Sequence, residues 1–206
     1  MNLDKYDNLM SRAEKGELTT GELEEVAAKL RVHDAGEDPY MLLHILGKGS
    51  TDGKYSNVVE PFLAGPDGFV AGKALQVLYW DWDLGDLYTT EFLKFMRGVS
   101  WDDSWDARSI AVSIAGDYLR SHSDPTLLRE LIRIFTNLGG KKSFRCRSLR
   151  LIAYGSLVNA MGGDLHQVPM FPDFPEEFDF NASVNPAVIR GARERLAREE
   201  GSASSK

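Results

Sequence analysis

A helical template that recurs along the chain is its strongest constraint. Val70, Ala74, Val77 and Leu78 have the i, i+4, i+7, i+8 spacing of one helix face. A shift of 37 positions carries Val70 to Ala107 and the others to Ala111, Ile114 and Ala115. The same shift again gives Phe144, Ser148, Leu151 and Ile152. A shorter apolar segment precedes each copy: YSNVVEPFLAG, YTTEFLKFMRG and PTLLRELIRIFTNLG. Antiparallel helix pairs recurring at roughly 35–45 residues stack in a row, because no pair buries its own apolar face and each relies on the next. The small residues Ala74, Ala111, Ala115, Ser148 and Ala153 are the expected contact positions, where neighbouring helices approach closely.

Local signals agree with an all-α chain of about nine helices, since no run alternates apolar and polar residues. Asp38-Pro39, Asp124-Pro125 and Asn185-Pro186 each supply a capping side chain followed by a proline suited to the first helical position. The expected architecture is a short α-solenoid within a single domain, residues 1–200, whose core repeats occupy about 38–163. Polar helices near 19–32 and 186–199 cap its ends, and RERLAREE reads as a solvated outer face. Four prolines and four phenylalanines fill VPMFPDFPEEFDFNASVNP, which favours an extended strap over 168–184. Phe171, Phe174, Phe178 and Phe180 are expected to anchor it, the alternative being an exposed peptide-like ligand. Residues 201–206 read as a disordered tail.

Charge is divided along the chain. Residues 1–106 hold 20 Asp and Glu against 10 Lys and Arg, while residues 107–206 hold 11 against 14. A net charge of −7 disfavours a nucleic-acid partner, and the acidic half suits a protein partner with a basic surface. No apolar run approaches the ~20 residues of a membrane span, and no secretory signal opens the chain. The lone Cys146 fits a reducing compartment, so a cytoplasmic location is expected.

Two acidic-aromatic segments are the candidate sites: YWDWDLGD, residues 79–86, and SWDDSWD, residues 100–106. The first comes after the second helix of one pair, and the second joins the two helices of another. In a row of antiparallel pairs those loops lie on opposite rims, separated by roughly 20 Å for a fifteen-residue helix. They are therefore not one metal or acid–base site. Asp106 or Ser104 is placed to cap the next helix, with Trp101 and Trp105 folding back onto the stack. Asp102, Asp103 and Asp106 lack the further ligands and later glutamate of a calcium loop. Trp80 continues the apolar spacing from Val77, so Trp82 is the tryptophan expected outside. GKGSTDGK, residues 47–54, misses the phosphate-loop spacing and has Tyr55 in place of Ser or Thr. His33, His44, His122 and His166 lack the i, i+4 pairing of a helical zinc site. No cofactor, metal ligand or catalytic residue is indicated.

DARSIAVSIAGDYL resembles the second helix of a HEAT repeat, with Arg108 early and small residues at the packing positions. YMLLHILGKG, VVEPFLAG, ALQVLYWDWDLGDLY and FMRGVSWDDSWDARSIAVSIAGDYL, in that order, resemble the small HEAT-type immunity proteins of bacterial toxin systems. The resemblance implies a non-catalytic binding protein that occludes the active site of a cognate toxin. Trp82, Asp83, Asp86, Trp101, Asp102 and Asp103 are then the partner-binding candidates. The Trp82–Asp86 separation is also similar to that of HEAT-like alkylpurine DNA glycosylases, with Lys141, Lys142, Arg145, Arg147 and Arg150 as phosphate contacts. A general adaptor or scaffold is the third reading.

Overall fold

The computed structural model describes residues 3–32, 37–138, 143–168, 179 and 183–203, and every regular element among them is helical. The chain forms two compact units, Met1–Glu91 with Val99–Ala107, and Phe92–Gly98 with Arg108–Lys206.

The first unit is built around α3 (Pro39–Gly49), whose Leu42, Leu43, Ile45 and Leu46 are buried. α1 (Leu3–Glu14), α2 (Thr20–Val32) and α5 (Gly68–Gln76) pack on it. So large an apolar perimeter suits a helix enclosed by others. Asp38 opens α3 as its Asp-Pro signal predicts, accepting from the N–H groups of Tyr40 at 2.9 Å and Met41 at 3.4 Å. α4 (Ser56–Val59) is one short turn that tightens into a 3₁₀ segment over Glu60–Ala64, burying Val58, Val59, Phe62 and Leu63. At the start of α2, Thr19 and Glu22 make a reciprocal capping box. The Thr19 N–H donates to Glu22 Oε2 at 2.8 Å, and the Glu22 N–H to Thr19 Oγ1 at 3.3 Å. Arg12 of α1 donates to both oxygens of the same carboxylate. These bonds, the guanidinium's first, hold the Glu22 carboxyl down at about 2.

The second unit takes α6 (Thr89–Arg97) from Phe92 onward and α7 (Asp106–Ser121) from Arg108 onward. It continues with α8 (Pro125–Asn137), α9 (Phe144–Ala160) and α10 (Pro186–Ala203). α8 packs on α9, and α10 packs on both. Asp124 and Asn185 cap α8 and α10 through the N–H groups of Thr126, Leu127 and Ala187. α7 and α9 meet at their backbones. A Cβ on Gly116 would stand 2.5 Å from the Ser156 Cα and 2.7 Å from its carbonyl oxygen.

Arg195 of α10 closes two helix ends at once. Its Nη1 donates to the carbonyls of Leu119 (2.9 Å) and Ala160 (2.8 Å), and its Nη2 to that of His122 (2.7 Å). Those are the orphan acceptors at the C-termini of α7 and α9, where a cation also suits the helix dipole. RERLAREE is therefore not purely a solvated face: Arg195 turns inward, and Glu199 accepts from its Nε at 2.7 Å. α10 runs on to Ala203, so Gly201–Ala203, expected in the tail, form its last turn. Phe171, Phe174, Phe178, Phe180 and most of the expected strap lie outside the described residues.

α5, α7 and α9 begin at equal intervals, at Gly68, Asp106 and Phe144, each after a shorter helical segment. The repeated template is buried at Ala74, Val77 and Leu78, and again at Ala107, Ala111, Ile114 and Ala115. It weakens in the third copy, where Leu151 is buried but Ser148 and Ile152 are half-buried and Phe144 is exposed.

Two glycine substitutions separate close approach from helix propensity. Gly116→Ala forces α7 from α9 and lowers unfolding stability by about 1–3 kcal/mol. Gly155→Ala, whose Cβ meets Val168 at an ordinary 3.5 Å, leaves stability unchanged or raises it by up to ~1 kcal/mol. Urea denaturation of the two variants measures the difference.

Candidate functional site

Both acidic-aromatic segments belong to the first unit, at opposite ends of α5. α5 continues past Gln76 as a π turn over Val77–Asp81. The Trp82 N–H donates to the Val77 carbonyl at 3.0 Å, and the Leu84 N–H to the Leu78 carbonyl at 2.9 Å. Asp83 sits between them in the left-handed region, at φ 54. This is a helix C-terminal closure widened by one residue.

The extra residue decides which tryptophan is buried. Side chains two apart on an α-helix point about 200° from each other, so Trp80 and Trp82 cannot both face inward. Ordinary spacing from Val77 puts Trp80 inside. The π turn rotates the residues after it and reverses that expectation: Trp82 is 4% exposed and Trp80 is 45% exposed. The Trp82 indole N–H donates to the Ser50 carbonyl just beyond α3.

Asp81 is also committed to the fold. Its Oδ1 accepts from Lys48 Nζ at 2.7 Å. A Cβ on Gly47 would come within 2.6 Å of Asp81 Oδ2 and 2.7 Å of Val77 Cγ2, so the α3–α5 approach requires glycine there. Trp80, Asp83, Asp86 and Leu87 remain on the outside, Leu87 with 72% of its surface exposed. They succeed one another around the π turn and the 3₁₀ segment Gly85–Leu87. Tyr88 anchors the end of this rim by donating its hydroxyl to Glu60 Oε1. Burial first, then that bond, raises the phenol above its ordinary range.

At the other end of α5, Asp102 is 3% exposed. Its Oδ1 accepts from the Asp106 N–H at 3.0 Å, capping α7. It also sits where a Cβ on Gly68 would stand, 2.1 Å away, against the first residue of α5. A carboxylate between two helix N-termini is in favourable surroundings. Trp101 lies half-buried against Gly65, where an added Cβ would touch the indole at 2.6 Å. Asp103 and Ser104 are exposed.

Of the six side chains expected to face a partner, Asp83, Asp86 and Asp103 are exposed and Trp101 is half-buried. Trp82 and Asp102 are corrected to buried positions that hold α3 to α5 and cap α7. Trp80, expected inside, turns outward because a fixed 3.6-residue period has no place for a π turn, and Leu87 beyond it was not among the candidates. From Gly68 to Asp81 the helix spans roughly 20 Å, so the two segments form separate places. Among the described residues no group of three His, Cys, Asp or Glu side chains is arranged to hold a metal ion. His33, Lys141 and Lys142 lie outside the described residues.

Beside the rim, α3 and α5 share a polar seam. Lys73 is 8% exposed; its Nζ donates to Gln76 Oε1 at 2.7 Å, lies 3.4 Å from His44 Nδ1 and sits 4.8 Å from the Tyr40 ring centre. Tyr40 in turn stacks on Phe69, with centroids 4.2 Å apart. Burial first, then Lys73 and Lys48, lowers the His44 pKa; Asp81 and Glu14 oppose this more weakly. The neutral imidazole then accepts from the Lys73 ammonium through Nδ1.

Charge is sorted between the two units more sharply than along the sequence. The first holds 20 acidic residues against 8 basic, and the second 11 against 16. No helix among the described residues is long and apolar enough to cross a membrane. No family model, curated protein or solved structure matches the chain.

Two outcomes check this geometry. Trp82→Ala costs about 3–5 kcal/mol of stability, whereas Trp80→Ala costs less than about 0.5 kcal/mol, as expected at the surface. For His44, the unfolded chain takes up a proton near pH 6.5 while the folded one resists until lower pH. Stability therefore falls as pH drops from about 7.5 to about 5.5. In His44→Gln, whose amide oxygen still accepts from Lys73, that fall is smaller; urea midpoints at the two pH values measure it.

Proposed function

We propose that the chain is a non-catalytic protein-binding module, an immunity protein that neutralises a cognate bacterial toxin by covering its active site. In this reading the helix pairs form a short HEAT-like array working in the cytoplasm. One observation carries the proposal: Trp80 and Leu87 stand exposed beside Asp83 and Asp86, on a unit with 20 acidic residues against 8 basic ones. An acidic field steers a basic partner into encounter. Large side chains at the centre of the contact then supply most of the binding energy once water is excluded. The carboxylates around them stand in for the charge of the toxin's own substrate.

The glycosylase reading depends on Trp82 as a stacking side chain beside Asp86. That indole is buried and its N–H is used by Ser50, which leaves no aromatic face for a base. The acidic balance of this unit also opposes a phosphate backbone.

The test is a pull-down with the product of the neighbouring gene, followed by titration calorimetry. A toxin domain is expected to bind one to one, with affinity falling as salt rises from about 0.05 to about 0.3 M. Trp80→Ala combined with Asp83→Asn weakens binding at least ~100-fold without moving the unfolding midpoint, while Asp103→Asn at the far end of α5 changes it less than about threefold. A neighbour that encodes no toxin domain, together with no captured partner, ends the immunity reading. Capture of a non-toxin protein through the same rim replaces it with an adaptor.

A further inference from the structure

The second unit contains a pocket of about 700 Å³ where α8, α9 and α10 converge. This volume falls within the range typical of small-molecule sites. Its apolar walls include Phe135 of α8 and Ile189 of α10; its charged groups are Arg150 of α9 and Arg190, Arg193 and Glu194 of α10. Three guanidiniums against one carboxylate give it a positive balance in a chain of net charge −7.

The arginines differ in how they are held. Arg150 is fixed: its Nε donates to the Phe135 carbonyl at 3.2 Å, and its guanidinium lies 4.8 Å from the Phe135 ring centre. Arg190 and Arg193, one helical turn apart, are exposed and make no ion pair among the described residues. Asn185, immediately before α10, donates its N–H to the Tyr154 hydroxyl at 3.0 Å, next to the lining residues Val184 and Pro186. The pocket thus combines a preset cation over an aromatic ring, two exposed guanidiniums and an aliphatic wall. Planar guanidiniums match a carboxylate with two parallel hydrogen bonds, and the apolar walls gain by excluding water.

We infer that this pocket binds a small organic anion, a carboxylate carried on an apolar acyl or aryl body. The carboxylate meets Arg190 and Arg193, and the body lies along Phe135 and Ile189. Inorganic anions lack the second half of this match and neutral apolar molecules lack the first. The site lies in the second unit and does not depend on the rim of the first, so either can fail without the other.

Titration calorimetry of the full chain with octanoate, octanamide and inorganic phosphate tests the inference. Octanoate is expected to bind one to one, at least about tenfold tighter than octanamide or phosphate. Arg190→Gln with Arg193→Gln lowers octanoate affinity at least about tenfold and leaves octanamide unchanged. Ile189→Asp abolishes binding of both. Urea midpoints confirm that each variant is folded, and Ala197→Trp, which enlarges a lining side chain, provides a second block should Ile189→Asp fail to fold. Equal binding of octanoate and octanamide, phosphate binding as tightly as octanoate, an unaltered arginine double variant, or no binding of octanoate each overturns it.

Discussion

The bond from the Trp82 indole to the Ser50 carbonyl fixes the end of α5 against the end of α3, and the rim takes its form from that junction. Several features must coincide for it to form. Gly47 lets Val77 and Asp81 approach α3 without a Cβ in the way, and Lys48 neutralises Asp81 as it is drawn in. The π turn then delivers the second tryptophan rather than the first to the interface. Such widened turns are uncommon and cluster at functional sites, because their poorer hydrogen bonding has to be offset by something. Here burial of a large aromatic side chain is the evident compensation, and the outward turn of Trp80 is its geometric consequence.

Much of the helical organisation was legible because it rests on short-range rules. Asp-Pro and Asn-Pro fixed the starts of α3, α8 and α10 through a side-chain acceptor and a preset φ, both local properties. The equal starts of α5, α7 and α9 were visible as a recurring apolar template. The contact at Gly116 was nearly visible, since the neighbouring Ala115 was singled out, but backbone-to-backbone approach needs the residue with no side chain at all. Arg195 was hidden. In RERLAREE its charge looks like solvent-facing charge, and only the convergence of the α7 and α9 C-termini gives its donors their acceptors. The capping box of Thr19 and Glu22 could have been read from spacing alone, three residues apart at a helix start.

The rim was half legible for a related reason. Composition marked YWDWDLGD as unusual, and its exposed aspartates, Asp83 and Asp86, stand where a loop should put them. Which tryptophan faces out is a matter of helical phase, and phase is lost when one residue is inserted into a turn. Likewise Asp102 looked like one member of an acidic cluster, yet it is buried between two helix N-termini. An acidic run contains both kinds of carboxylate, and only their surroundings distinguish capping from display.

The division of charge bears on how one chain can present two chemistries. A single body of net charge −7 spreads a weak negative field, but this chain sorts its ions so that one unit has a surplus of 12 acidic residues (20 against 8) and the other a surplus of 5 basic ones (16 against 11). In the acidic unit, the carboxylates of Asp81, Asp102 and Glu22 are spent on lysine, arginine and helix termini. Asp83 and Asp86 instead stand exposed, where a basic surface would meet them. In the basic unit the same sorting applies to arginines. Arg195 is consumed by helix carbonyls and Arg133 by Glu130, while Arg190 and Arg193 stand exposed beside an apolar wall. Charges satisfied within the fold have little to offer a ligand, so counting ions by residue type overstates the binding capacity of both units. A charge displayed next to apolar surface is worth more, because one partner can meet both at once.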